Sequence, residues 1–378
     1  MRDKRLNVLA RNLVNYSCEV KPGDRVLVES KGTATSGLVE EIIHEVAGAG
    51  GIPFWYYNDE WTERRWVLNA TEGQVKQFGA MHLRLMKEMA CYISVRGADN
   101  AYTLADVPQR RMDWYRRHYI KPVHLEQRVK RTRWVVLRYP NEAMAQLAET
   151  SREAFEDFYF SVCNIDYARM SRAMNPLVEL MNKTDKVRIV GPGTELSFSI
   201  KGIPAIKCDG HRNIPDGEVY TAPRKNSING LITFNTPAIY ESVLYEGIRL
   251  EFKSGKIVKA DCAGGNTDRL NKILDLDPGA RYVGEFSFGL HPGIRRPMKD
   301  TLFDEKIFGS IHLTPGQCYD EASNGNKSAI HWDLVLMQAP ECGGGEVYFD
   351  DFLIRKDGVF VHPNLRETLS AKALGVGR

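Results

Sequence analysis

The stretch that decides the first half of the fold is VKPGDRVLVES at residues 20–30, followed by GLVEEIIHEVA at 37–47 and IPFWYYND at 52–59. A proline-glycine turn precedes an apolar run typical of a buried strand, and apolar residues then recur at helical spacing. The GAGG at 48–51 ends that helix before a second strand begins. A strand, a helix and a strand of these lengths predict a parallel pair joined by a right-handed crossover.

The pattern changes after the polar segment NKTDK at 182–186. Residues 141–183 indicate helices, whereas the following region contains short strands separated by Gly, Pro and Asn turns, such as LITFN at 231–235. We therefore expect two domains, residues 1–185 and 186–378. The expected fold is an α/β N-terminal domain plus an α+β C-terminal domain with a mostly antiparallel sheet.

The composition argues against several classes of protein. A net charge of +3 over 378 residues gives no general attraction for nucleic acid or an anionic membrane. Nine basic residues between Arg110 and Arg133 form either a solvated helical face or a patch that attracts a carboxylate-bearing substrate. Seven cysteines occur without a C-x-x-C pair, and no apolar stretch approaches the roughly 20 residues of a membrane span. We expect a cytoplasmic protein with no nucleic-acid or membrane partner.

Candidate metal ligands lie close together near the C-terminus, in SIHLTPGQCY at 310–319 and SAIHWD at 328–333. His331 and Asp333 are two residues apart, so on a strand both would point to one face while Trp332 points to the other. Imidazole with carboxylates is the ligand mixture expected for zinc, manganese or cobalt. His312 and Tyr319 are further candidates, and the C-terminal half therefore predicts a metal site.

Two glutamates in the same region extend this site. Glu218 follows a Pro and Gly turn in NIPDGEVYTAP at 213–223, and Glu285 lies between apolar neighbours in YVGEFSFG at 282–289. A carboxylate in a buried strand needs a partner, because an unpaired buried charge is costly. A metal ion is one such partner, and a structural salt bridge is another.

These motifs, with LFDEK at 302–306 and GSIHL at 309–313, resemble the M29 family of metallo-aminopeptidases, of the aminopeptidase T and aminopeptidase S type. The resemblance extends over nearly the whole chain and includes AMAQLAETSREAFEDF at 143–158 and GGGEVYFD at 343–350. It implies a homodimer, a short peptide as substrate, and two divalent ions, zinc, cobalt or manganese. The implied metal ligands are Glu218, Glu285, His312, Tyr319, His331 and Asp333.

The resemblance also implies roles in peptide hydrolysis. Two adjacent metals lower the pKa of a shared water and stabilise the developing oxyanion, and we expect Glu285 to bridge them. Glu305 is the candidate general base, or else a carboxylate that orients a histidine. Tyr319 is either a ligand or a hydrogen-bond donor to the tetrahedral intermediate.

Two other functions stay open at this point. The scaffold also resembles ring-cleaving dihydroxypyridine dioxygenases, in which two histidines and an aspartate would bind a single Fe(II). Such a site does not need Glu218 and Glu285 as ligands, which favours hydrolysis. The second of these functions is peptide binding by a catalytically silent member of the family.

Overall fold

A computed structural model describes residues 3–100, 103–240 and 243–375 and divides into two compact units. The first unit runs to Asn164 and includes Gly210–Pro215, whereas the second comprises Ile165–Asp209 and the chain from Asp216 onward. In this division the helix Tyr167–Lys183 belongs to the second unit. The sequence prediction put the boundary after residue 185, and the extent of the domains stays a prediction.

The first unit is built on a parallel sheet. Its strands are, in spatial order, Ile52–Asn58, Arg25–Lys31, Cys91–Arg96, Arg133–Arg138 and Asn213–Ile214. The predicted parallel pair is confirmed, because the first two strands pair in parallel and the helix Ser36–Gly48 connects them. The other α-helices of this unit are Lys4–Arg11, Glu60–Asn69, Glu72–Glu88, Gln109–Tyr115, Val129–Arg131, Glu142–Leu147 and Arg152–Cys163, with π-helical turns at Asn12–Ser17 and Arg116–Arg128 and a 3₁₀ turn at Thr33–Thr35.

The second unit contains antiparallel sheets, so the expected combination of a parallel α/β region with antiparallel sheets is confirmed. Its largest sheet has the strand order Lys256–Asp261, Arg249–Lys253, Asn229–Thr233, Thr194–Ser199, Lys186–Gly191, Glu346–Phe349, Phe352–Lys356 and Val359–Phe360. The strands Ala238–Tyr240 and Val243–Tyr245 pair antiparallel. The helices are Tyr167–Lys183, Thr267–Leu274 and Thr301–Asp304, with 3₁₀ turns at Asp320–Ala322 and Pro340–Cys342.

A further sheet of this unit, which we call the site sheet, has the order Leu334–Met337, Ser310–Pro315, Val283–Gly289, Glu218–Thr221 and Ile206–Cys208. All neighbouring strands in it are antiparallel. The strands Val283–Gly289 and Ser310–Pro315 are buried along their whole length. Any charged side chain in them is therefore enclosed by protein and needs a partner.

None of the helices in the described parts of the chain is long and apolar enough to cross a membrane. The two longest α-helices, Glu72–Glu88 and Tyr167–Lys183, have 17 residues each.

Candidate metal centre

Three strands of the site sheet direct Glu218, Glu285 and His312 to one face. Ser287 lies opposite His312 on one side and opposite Tyr220 on the other. Residues that face each other in an antiparallel pair share a face, as do residues two apart on a strand. Glu285 therefore lies beside His312, and Glu218 joins them from the next strand.

His331 and Asp333 come from the segment that leads into the last strand of the sheet. The prediction that these two residues lie within a strand is wrong, because the strand begins only at Leu334. Their side chains nevertheless meet, with His331 Nε2 3.4 Å from Asp333 Oδ1. Trp332 points elsewhere, packing its ring 5.2 Å from that of Tyr245. The side chains of residues 331–333 therefore alternate in direction as expected, although the strand is shorter than predicted.

The carboxylate of Glu285 lies between the two histidines. Its Oε1 is 3.0 Å from His312 Nε2 and its Oε2 is 3.7 Å from His331 Nε2. Glu218 Oε2 is 3.5 Å from His312 Nε2. Two sets of residues in this cluster have ligand atoms within 4.8 Å of one another, and they share Glu285: one is Glu218, Glu285 and His312, and the other is Glu285, His331 and Asp333. Bonds of 2.0–2.1 Å in a tetrahedral site put ligand atoms about 3.3 Å apart, so these spacings suit small divalent cations.

The hydrogen bonding of the cluster also fits a metal. Within the described residues, the buried Oε2 of Glu285 has no hydrogen-bond partner. His331 Nδ1 lies 2.8 Å from the carbonyl oxygen of Gln317, to which it can donate, so that Nε2 faces the cluster. A carbonyl oxygen in this position is the usual second partner of a metal-binding histidine. The cluster thus combines imidazole nitrogens with carboxylate oxygens, the ligand types that zinc, cobalt and manganese bind.

Comparison with known proteins shows the family. A family model described as thermophilic metalloprotease (M29) matches residues 2–344. The chain belongs to this family. The predicted resemblance is confirmed, and with it the expectation of an enzyme that is a hydrolase. Aminopeptidase 2 of Geobacillus stearothermophilus is 24% identical to this M29 peptidase, covering 89% of this chain and 92% of that one. Aminopeptidase AmpS of Bacillus subtilis is 23% identical, with 88% of each chain covered.

Two solved structures share the fold. Wild-type AmpT from Thermus thermophilus aligns with a TM-score of 0.78 at 21% identity, covering 95% of this chain and 99% of that chain. The 2,5-dihydroxypyridine dioxygenase of Pseudomonas putida KT2440 aligns with a TM-score of 0.62 at 12% identity, covering 96% and 98%. At these identities the likeness shows the fold alone, and one scaffold can carry unrelated chemistry.

The charged side chains of this candidate metal centre shift one another's pKa values. Burial alone would lower the pKa of His312, but its hydrogen bond to Glu285 and the charge of Glu218 raise that pKa to about 9. Burial likewise opposes the protonation of His331, yet Asp333 raises the pKa of His331 to about 10. In Asp333, burial acts to raise the pKa, and the charge of His331 lowers it far below its ordinary value. The carboxylates therefore create a strongly negative site that favours bound cations.

The structure adds a residue that sequence reasoning missed. Lys306 is 1% exposed, and its Nζ lies 2.6 Å from Glu218 Oε1, 2.7 Å from Glu305 Oε1 and 3.5 Å from Asp216 Oδ1. The available signal was a lysine inside the otherwise apolar and acidic segment at 302–306. Cys208, Asp216 and Glu218 also lie close enough to hold a cation, but the Lys306 ammonium already bridges the two carboxylates.

The two residues predicted to be catalytic lie at different depths. Glu305 follows the short helix Thr301–Asp304 and has a side chain that is 13% exposed. Burial raises the pKa of Glu305 well above its usual range, although Lys306 opposes that shift. Tyr319 is 47% exposed, and its ring centre lies 4.8 Å from that of His331. Tyr319 thus lies at the open side of the cluster, whereas Glu305 is enclosed.

Hydrogen bonds and a close backbone approach hold the acidic ligands in place. Thr314 donates to Asp333 over 2.6 Å, and Ser287 donates to Glu218 over 3.1 Å. A Cβ atom at Gly284 would lie 2.3 Å from the carbonyl oxygen of Gln317, the acceptor that orients His331. A glycine is therefore required next to Glu285 for the two segments to approach this closely.

Proposed function

We propose that this protein is a metal-dependent aminopeptidase that removes N-terminal residues from short peptides at a dinuclear site. The observation that supports this most is the position of Glu285, whose two oxygens face two separate histidines. In the proposal Glu218 and His312 hold one ion, His331 and Asp333 hold the other, and Glu285 contributes to both. Glu218 and Glu285 have no such role in a site for one ion held by two histidines and an aspartate.

Divalent metals in such a site supply a water of lowered pKa and polarise the carbonyl group of the peptide. The chain supplies proton transfer and orientation. Glu305 is the proposed general base, because burial raises its pKa and so makes its carboxylate a stronger proton acceptor. Lys306 fixes the Glu305 carboxylate from 2.7 Å.

Tyr319 is proposed to act on the substrate at the open side of the cluster. Its phenol can donate a hydrogen bond to the carbonyl oxygen as negative charge develops there, or it can join the metal ligands. Replacement by Phe distinguishes these roles. Loss of activity with full metal content supports the donor, whereas loss of a metal supports the ligand.

Metal content and peptide release together test the main proposal. Protein loaded with zinc, cobalt or manganese should contain two ions per chain and release p-nitroaniline from leucyl-p-nitroanilide. Glu285→Gln should lose more than about 100-fold of this activity, since even partners outside the metal shell cost 10–100-fold. Glu251→Gln removes an exposed carboxylate from another sheet of the same unit and serves as the matched control. One ion per chain in the active wild-type protein would reject the dinuclear site.

The same preparation tests the alternatives. The single-iron dioxygenase is not favoured, because the chain matches a metalloprotease family and keeps two further glutamates in the cluster. Oxygen uptake with a dihydroxypyridine and Fe(II), without peptide release, would reverse that preference. A fully metal-loaded protein that binds peptides and cleaves none would be a silent member. The cytoplasmic location is proposed on the seven cysteines that occur without a C-x-x-C pair. The homodimer is proposed on the family resemblance, and analytical ultracentrifugation tests it.

A further inference from the structure

The first unit contains an aromatic cavity that shares no residue with the metal cluster. Its volume is about 280 Å³, close to the lower end of the roughly 300–1,000 Å³ typical of ligand pockets. Its walls are chiefly aromatic and include Tyr56, Trp66, Phe78, Tyr115 and Tyr119. A cavity of this size has room for a small molecule or a single side chain.

The cavity lies where an open parallel sheet usually binds ligands. Tyr56 and Asn58 line it from the carboxyl end of the strand Ile52–Asn58. The helix Glu60–Asn69 follows that strand directly and contributes Glu63 to the wall. Ligands of open α/β sheets generally bind outside the carboxyl ends of the strands, where the connecting loops leave a crevice.

The aromatic rings form a continuous wall. Phe78 lies 4.5 Å from Trp66 and 5.1 Å from Tyr119, measured between ring centres. Tyr115 lies 5.1 Å from Tyr119. The face of an aromatic ring carries negative potential and attracts organic cations, which is how aromatic cages bind quaternary ammonium groups.

The charges around the cavity also favour a cationic ligand. Glu63 is the only charged side chain among the described residues that line it, because burial lowers the pKa of His82 and leaves that ring neutral at neutral pH. The hydroxyl of Tyr115 donates to Glu63, and Lys31 Nζ lies 3.4 Å from its other oxygen. The Glu63 carboxylate is thereby held at the wall.

A second carboxylate lies next to the cavity, on the strand beside Tyr56. Glu29 is directly opposite Tyr56 in the parallel ladder, so both side chains project from one face of the sheet. Glu29 is 1% exposed and accepts a hydrogen bond from Tyr92, whereas its Oε1 has no hydrogen-bond partner within the described residues. Burial and the charge of Glu29 both raise the pKa of Tyr56, which keeps this phenol neutral beside it.

We propose that this cavity binds a compact organic cation, an alkylammonium or arylammonium group whose charge lies between the aromatic faces and Glu63. A neutral aromatic ligand would use the ring surface alone and gain no attraction from the Glu63 carboxylate. An anion would meet Glu63 directly, with Glu29 adding to the repulsion.

The probe for the first test is phenyltrimethylammonium, and its neutral isostere tert-butylbenzene is the control ligand. Full-length protein is titrated with each, and binding is followed by calorimetry and by the fluorescence of Trp66 against a Trp66→Phe background. We expect saturable binding of one cation per chain, with the isostere weaker by roughly tenfold. Equal affinities for the two probes, or no saturable binding of the cation, would overturn the proposal.

Variants test the residues. Glu63→Gln should weaken binding of the cation by roughly tenfold while binding of the isostere stays unchanged. Glu88→Gln removes an exposed carboxylate of the same unit and should bind the cation like the wild type. Phe78→Leu keeps an apolar wall without a ring face and should also selectively weaken the cation. Circular dichroism confirms that each variant is folded, and unchanged binding of the cation in both Glu63→Gln and Phe78→Leu would contradict this site.

Discussion

The Nζ atom of Lys306 lies 2.6 Å from Oε1 of Glu218, and both side chains are almost completely buried. The ammonium also contacts Glu305 at 2.7 Å, so one positive charge compensates neighbouring carboxylates within the cluster. Breaking a buried pair by removing one partner leaves a charge without compensation, which is much more costly than losing a surface pair.

Lys306→Met should therefore lower the free energy of unfolding by about 3–5 kcal/mol in metal-free protein, as measured by urea denaturation. Lys259→Met removes a lysine from an exposed pair with Asp261 and should change stability by less than about 1 kcal/mol. If the two variants were equally stable, the ammonium of Lys306 would not be compensating the buried carboxylates.

Gly284→Ala should disturb the cluster through backbone crowding. The new Cβ would lie 2.3 Å from the Gln317 carbonyl oxygen, which must move and release its hydrogen bond to His331. We expect a loss of about 1–3 kcal/mol in stability together with weaker zinc binding, measured by denaturation and by competition with a chelating dye. Gly73→Ala is the control, because its Cβ would meet nothing within 4 Å. A Gly284→Ala protein with unchanged zinc affinity would show that the Gln317 contact is dispensable.

Asp304 should make stability fall as the pH rises. Burial raises the pKa of Asp304 to about 8, so between about pH 4 and pH 8 the folded chain keeps a proton that the unfolded chain has released. Stability contributed by this group is present below pH 4 and declines up to pH 8. Asp304→Asn keeps an oxygen that can accept the 2.6 Å bond from the Met298 amide and should remove this decline.

Urea denaturation at pH 5 and pH 9 measures the effect of Asp304. From pH 5 to pH 9, the free energy of unfolding of Asp304→Asn should rise relative to that of wild type by on the order of 2–4 kcal/mol. Asp268→Asn, an exposed position at the start of the helix Thr267–Leu274, should show no such gain. Parallel pH profiles for wild type and Asp304→Asn would mean that Asp304 ionises normally.

Metal removal should change stability without unfolding the chain. Chelation returns the cluster to its protonated ion pairs, such as His331 with Asp333, which remain compatible with the fold. Zinc at 100 times its dissociation constant should add about 2.7 kcal/mol, visible as a higher Tm that chelator reverses. His312→Gln should lose most of this increment, and far-UV circular dichroism of the chelated wild type should keep its folded signal. A chelated protein that unfolds would refute the preformed site.

The sequence allowed the type of fold and the residues of the cluster to be predicted, because each depends on local patterns. The βαβ unit follows from apolar periodicity, and Glu285 follows from a charge within an apolar strand. Glu218, Glu285, His312, His331 and Asp333 do meet in the structure, whereas their metal-binding roles stay predictions.

Other features depend on contacts between distant segments and could not be derived. The burial of Lys306 beside Glu218 requires a turn to meet a strand that lies 88 residues away in the sequence. The strand start at Leu334 is set by pairing with Ser310–Pro315, which local propensity does not specify. The cavity beside Tyr56 likewise arises from the packing of helices that share no recognisable motif.

The complete burial of the strands Val283–Gly289 and Ser310–Pro315 has a consequence for the time at which the protein needs its metal. Their ladder holds Glu285 and His312 in place through backbone pairing, whereas some small domains fold only around their metal. Under the proposed function, synthesis and activation would then be separate events. A cell short of metal would accumulate inactive folded protein, and the ion that later activates it would reflect the metals abundant at that moment.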